Sequence, residues 1–170
     1  SAAVLDCQAK IGRTSEAGAA VLVNSGNSNA FTGQAGFDSV TRIAEATAQA
    51  LDLSVSRVFT SSTGVIGEPL PDQRITAQVS ALKAQLRANA LADAAQAIMT
   101  TDTFPKGAAQ QIKVDGKTVR IAGISKGSGM IAPDMSTMLV YIFTDAAIDQ
   151  SALQGMVSRL NARTFNCITV

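Results

Sequence analysis

A polar, glycine-bearing loop, Lys126-Gly-Ser-Gly-Met-Ile-Ala-Pro-Asp-Met-Ser136, empties directly into an apolar run, Thr137-Met-Leu-Val-Tyr-Ile-Phe-Thr144. The run is rich in β-branched and aromatic residues, so it reads as a buried strand headed by a threonine. A hydroxyl at the first position of a buried strand, just after the small Ser136, suits a chain that cuts itself. The Thr137 hydroxyl attacks the preceding carbonyl, the peptide bond breaks, and the freed α-amine becomes the base for the same hydroxyl. The plain alternative is a β-branched residue opening a strand.

Composition narrows the chemistry. The chain has 170 residues and no histidine. Ser-His-Asp and Cys-His nucleophile systems are therefore excluded within it, as are ordinary zinc sites. A base near neutral pH must come from elsewhere, and an α-amine titrating near ~8 is one of few candidates. Hydrophobic residues make up 46% and charged residues 16%, with a net charge of +1. That balance fits a domain with a real core and disfavours a general nucleic-acid or anionic-membrane surface. Cys7 and Cys167 match no metal or redox spacing and read as reduced, buried small hydrophobes. No apolar run reaches the ~20 residues of a membrane span and no signal peptide is visible, so a cytoplasmic enzyme is expected.

The local patterns alternate. Ala19 to Val23 reads as a strand, followed by a turn-rich loop, Asn24 to Gly33. Phe37, Val40, Ile43, Ala44, Ala48 and Leu51 fall at helical spacing over ~35–51. Val58 to Thr60 is a second short strand, then comes a small-residue run, Ser61 to Gly67. Ile75, Val79, Leu82 and Leu86 mark another helix, and the Ala-rich 90–99 continues helically. Gln110 to Val114 and Lys117 to Ala122 flank Asp115-Gly116, the strongest hairpin signal in the chain. Asp145 to Asp149 leads into a helix with Leu153, Met156, Val157 and Leu160, and a last strand is expected near Cys167. Helices mixed with at least one antiparallel hairpin imply an α/β or α+β class, with layered mixed sheets and flanking helices. No linker or repeat divides residues 1–170, which read as one domain cut from a longer protein.

Four segments resemble, in order and spacing, motifs of the ornithine acetyltransferase (glutamate N-acetyltransferase) family. They are Asn24-Ser-Gly-Asn-Ser-Asn-Ala, Thr63-Gly64 in its small-residue run, Thr100-Thr-Asp-Thr-Phe-Pro-Lys106, and Lys126 to Thr137. Asp134 and Ser136 stand where the family more often has asparagine and alanine. The resemblance implies an N-terminal-nucleophile, self-cleaving fold of the ornithine acetyltransferase/DmpA kind, cut at Ser136-Thr137. Residues 1–136 would then belong to an α chain and 137–170 to the start of a β chain, the two associating further.

The resemblance also implies site roles. Thr137 is the nucleophile, while the Thr63 side chain and the Gly64 main-chain N–H form the oxyanion hole. Thr100 and Lys126 contact substrate, with Thr101 the alternative to Thr100 should the register differ by one. Read alone, Asp102 or Thr103 is a helix-end cap, and the 24–33 loop is architecture whose side chains satisfy neighbouring backbone groups. Lys126-Gly-Ser lacks the full GxxxxGK[ST] pattern of a phosphate loop. The implied activity passes acetyl from N-acetylornithine to glutamate through an acetyl-threonine, in arginine biosynthesis. No metal or prosthetic group takes part; some family members also use acetyl-CoA. The rival readings are an N-terminal-nucleophile aminopeptidase or amidase, and a folded but non-catalytic fragment.

Overall fold

The computed structural model describes residues 1–12, 17–128 and 138–168. The chain divides into two compact units, Ser1–Ala90 and Leu91–Val170.

In the first unit, β1 (Ala20–Asn27) and β2 (Val58–Val65) form a parallel pair, with Ala20 opposite Val58 and Gly26 opposite Gly64. The connection is α2 (Gly33–Leu51), the crossover helix a parallel pair requires. Its buried face carries Val40, Ile43, Ala44, Thr47 and Ala48 at helical spacing, and Ala44 and Ala48 pack with Val58. The helix ends at Asp52 in the left-handed conformation, whose N–H bonds Ala48 O. A helix not foreseen in the sequence, α1 (Ala2–Lys10), lies against β2. Lys10 Nζ donates to Val58 O at 3.2 Å and Cys7 Sγ to Thr60 O at 3.4 Å.

Ile75, Val79, Leu82 and Leu86 do not share one helix. The chain forms α3 (Asp72–Thr76) and α4 (Val79–Ala84), broken where Gln78 N–H bonds Ile75 O at 2.9 Å, a tighter i→i−3 turn. Val79 is buried, whereas Leu82 and Leu86 are exposed, so the helical spacing did not report a continuous buried face.

In the second unit, α5 (Leu91–Ala97) precedes an antiparallel sheet of β3 (Lys106–Val114), β4 (Lys117–Lys126) and β5 (Leu139–Thr144). Asp115 and Gly116 join β3 to β4 with φ of 49° and 77°, the left-handed pair of a tight hairpin turn. The hairpin is longer than its apolar pattern suggested, with Lys106 pairing Ser125. α6 (Gln150–Asn161) is capped by Asp149, whose Oδ1 accepts from Ser151 N–H and Ala152 N–H.

The expected strand near Cys167 is instead a 3-10 turn, Phe165–Cys167, with Cys167 N–H bonding Thr164 O at 3.0 Å. Local i→i−3 bonds there occupy donors a strand would need for a partner. Both cysteines are free, but Cys7 is only half-buried and Cys167 is exposed, contrary to the core reading. Among the described residues no helix is long and apolar enough to cross a membrane, and no His/Cys/Asp/Glu group could hold a metal.

Candidate active site

The small-residue run after Thr60 does not end the strand. It continues β2 to Val65, which puts Thr63 and Gly64 on a strand. The small residues of the run answer a backbone constraint. Gly64 has φ +131°, and a Cβ there would lie 2.3 Å from Gly26 C and 2.6 Å from Asn27 N. Only a residue without a side chain permits that approach. Thr63, its neighbour, is 1% exposed.

The strand expected to end at Val23 runs on to Asn27, because residues 24–27 pair with β2, and only the shorter loop after it has side chains serving backbone as expected. Asn27 Nδ2 donates to Glu68 O and Pro69 O, while its Oδ1 accepts Asn29 N–H at 2.8 Å. The fully buried Asn29 donates to Gly36 O at 3.0 Å and accepts from Thr32 Oγ1 at 2.7 Å. Ser28 N–H and Oγ both donate to Val65 O, which ties this loop to the end of β2 beside Gly64. Ser62 Oγ donates to Asn24 Oδ1 at 2.7 Å one turn of the pleat earlier.

In the second unit, two residues singled out far apart in sequence meet. Lys126, the last residue of β4, donates from Nζ to Thr100 Oγ1 at 2.8 Å. Lys126 is 5% exposed, which makes it a buried lysine at the mouth of a glycine-rich loop. Burial pushes its pKa down, Asp102 opposes that shift, and Lys106 adds to it. Because Thr100 Oγ1 accepts from the ammonium, its own O–H is left to donate to a further acceptor.

Asp102, read from sequence as no more than a cap, is the hub of this cluster. Its Oδ1 accepts from Lys106 Nζ at 2.6 Å and from Gly127 N–H at 2.7 Å, and its Oδ2 accepts from Thr100 N–H at 3.3 Å. Its side chain is 1% exposed. Burial alone would raise its pKa. The Lys106 ammonium and the Gly127 and Thr100 N–H groups outweigh burial and hold it at about 2. Lys106 in turn sits 4.9 Å from the centre of the Phe104 ring. The available signal was an aspartate two residues after Thr100 with a lysine four residues on, a spacing that reads equally as a surface ion pair. Ser136 and Thr137 lie outside the described residues.

Comparison with known proteins supplies the frame for these clusters. The ArgJ family model matches residues 1–170. An arginine biosynthesis bifunctional protein ArgJ of Ruegeria pomeroyi is 64% identical over 170 residues, covering all of this chain and 42% of that protein. One from Gluconobacter oxydans is 56% identical over 151 residues, 89% of this chain and 36% of that protein. The chain thus spans well under half the length of these relatives.

Among solved structures, an arginine biosynthesis bifunctional protein from Bacillus halodurans superposes with TM-score 0.68 at 34% identity, covering 82% of this chain and 71% of that one. Ornithine acetyltransferase from Mycobacterium tuberculosis, solved with ornithine, gives TM-score 0.61 at 30% identity, over 82% and 72%. The mixed α/β architecture with one small parallel and one antiparallel sheet is the fold of those enzymes. The chain belongs to the ArgJ family.

Proposed function

We propose that this chain carries part of the catalytic machinery of an acetyltransferase that moves acetyl from N-acetylornithine to glutamate, after self-cleavage between Ser136 and Thr137. The observation that carries the reading is the buried Lys126–Thr100 pair at 2.8 Å. An N-acetylated amino acid offers a carboxylate and no charged α-amine, so its pocket needs a cation and a neutral donor. A buried ammonium beside a hydroxyl that keeps its own proton meets that need.

On this reading Thr137 Oγ attacks the acetyl carbonyl carbon and its proton passes to the Thr137 α-amine. The tetrahedral oxyanion accepts from Thr63 Oγ1 and Gly64 N–H. The amide C–N bond then breaks, ornithine leaves with the proton, and the acetyl group stays on Thr137 as an ester. The glutamate amine attacks that ester, giving N-acetylglutamate and free Thr137. The acetyl group never leaves the protein between half-reactions, so no metal or organic cofactor is called for, although acetyl-CoA is a chemically equivalent donor. The α and β segments of the cut chain stay associated.

The test is an acetyl-transfer assay on the natural chain that carries this sequence, paired with intact mass. Wild type should divide at 136–137 and form N-acetylglutamate from N-acetylornithine with ping-pong kinetics. Thr137→Ala should stay whole and inactive. Thr63→Ala should lower kcat by about 10²–10³-fold with a much smaller change in KM. Release of acetate with no dependence on glutamate would assign the site to a hydrolase instead. Activity in a chain uncut at 136–137 would overturn the nucleophile.

A further inference from the structure

Asp102 does more than its ion pair explains. A helix cap is ruled out by position, since the carboxylate follows the C-terminal end of α5, where the helix dipole disfavours an anion. A surface pair with Lys106 would account for one contact at Oδ1. It would not account for near-complete burial of the carboxylate, nor for two main-chain N–H groups on segments 25 residues apart or more. The division of labour between the two oxygens is the telling feature. Oδ2 takes the N–H of Thr100, and Oδ1 takes the N–H of the peptide unit joining Lys126 to Gly127. The main chains of both members of the Lys126–Thr100 pair are thereby held by one carboxylate.

We propose that Asp102 is a positioning residue for substrate recognition, fixing Thr100 and Lys126 so that their hydroxyl and ammonium meet a substrate carboxylate in one geometry. This rests on the acetyltransferase reading for the identity of the substrate, though not for the positioning itself. An anion this close to a carboxylate-binding site would repel the substrate, and the Lys106 ammonium at 2.6 Å from Asp102 Oδ1 offsets that charge. The arrangement separates position from charge, because the two make opposite demands on Asp102. If Asp102 acted only through its charge, removing that charge would improve carboxylate binding. If it acts by position, the same change must weaken binding.

Asp102→Asn in the natural chain decides between them. We expect KM for N-acetylornithine to rise about 10–100-fold, the loss of one charge-assisted bond, with kcat within about 3-fold and self-cleavage retained. Hydrogen exchange at the Gly127 amide should speed up at least about tenfold, while the amide of Ile124 within β4 stays protected. An unchanged or lower KM overturns the proposal.

Should Asp102→Asn fail to fold, Lys106→Met keeps both N–H bonds and removes one positive charge. It should raise KM about 3–10-fold and leave Gly127 exchange unaltered. Faster Gly127 exchange in Lys106→Met would show that the ion pair, not the carboxylate, holds the loop, and overturn the assignment. If wild type transfers no acetyl from N-acetylornithine, the functional reading falls. Gly127 exchange in Asp102→Asn then still decides whether the carboxylate positions the pair.

Discussion

The two units hold themselves together by different means. In Ser1–Ala90, α2 lays Val40, Ile43, Ala44 and Ala48 inward, and Val58, Leu70 and Val79 are also buried. Backbones meet there without side chains between them, at Gly26 and Gly64. In Leu91–Val170 only Ala95, Ile98 and Ile124 are buried apolar residues among those described, and α6 buries none. Ile112, Val114, Ile142, Phe143, Leu153, Val157 and Leu160 are exposed. Beside these few apolar residues the unit also buries two charged ones, Asp102 and Lys126, tied to Thr100, Lys106 and Gly127. The first unit rests on close packing and the second, within the described residues, on a charged network. Packing resists shape changes poorly and pH well, and a charged network does the reverse.

The sharpest test of the contrast compares two glycines. Gly64→Ala puts a Cβ into main-chain atoms that cannot swing aside, at a φ that alanine rarely adopts. It should cost more than about 3 kcal/mol or prevent folding of the first unit, read by denaturant unfolding of the natural chain. A cost under about 1 kcal/mol would mean the strands separate freely there, and the packing account would fail.

Acid should expose the second unit. The folded-state pKa of Asp102 lies below the ordinary value of 3.8, so its contribution is complete above that value. It is lost as pH falls through about 2. Between pH 4 and 2 the Gly127 amide should lose protection before the α2 amides do, measured by hydrogen exchange at stepped pH. Asp72 of the first unit is also held low, against its burial, by Arg42 and Ser39, but the surrounding apolar core remains when it protonates. Simultaneous loss in both units would erase the distinction.

The mildest effect is expected at Gly116→Ala. Its φ of +77° penalises alanine, yet no atom lies within 4 Å of the added Cβ. The cost should be about 1 kcal/mol, from backbone strain alone. Equal costs at positions 64 and 116 would show that φ, not contact, governs both.

What could be seen in the sequence followed the same line. The α2 face and the Asp115-Gly116 hairpin were legible because each is a local pattern whose residues act on their near neighbours. The Asn24–Gly33 loop was legible only beyond Asn27, because residues 24–27, for all their turn formers, extend β1 and pair with β2. The continuation of β2 through Thr63-Gly64 was not, because its small residues answer to a strand 38 positions away. Lys126 and Thr100 were each visible as candidates. Their contact across 26 residues and the burial of Lys126 depend on tertiary structure. Asp102 was hidden because its partners include two backbone N–H groups, which carry no sequence signature. The break between α3 and α4 escaped notice because helical spacing of apolar residues says nothing of which ones find a surface to cover.

The Gly26–Gly64 approach has a consequence for how this gene can vary. Every single-base change in a glycine codon that alters the amino acid installs a Cβ or ends the chain. At position 64 that atom falls inside the van der Waals radius of the facing main chain, whichever residue arrives. Position 64 therefore has no tolerable one-step neighbours in mutational space.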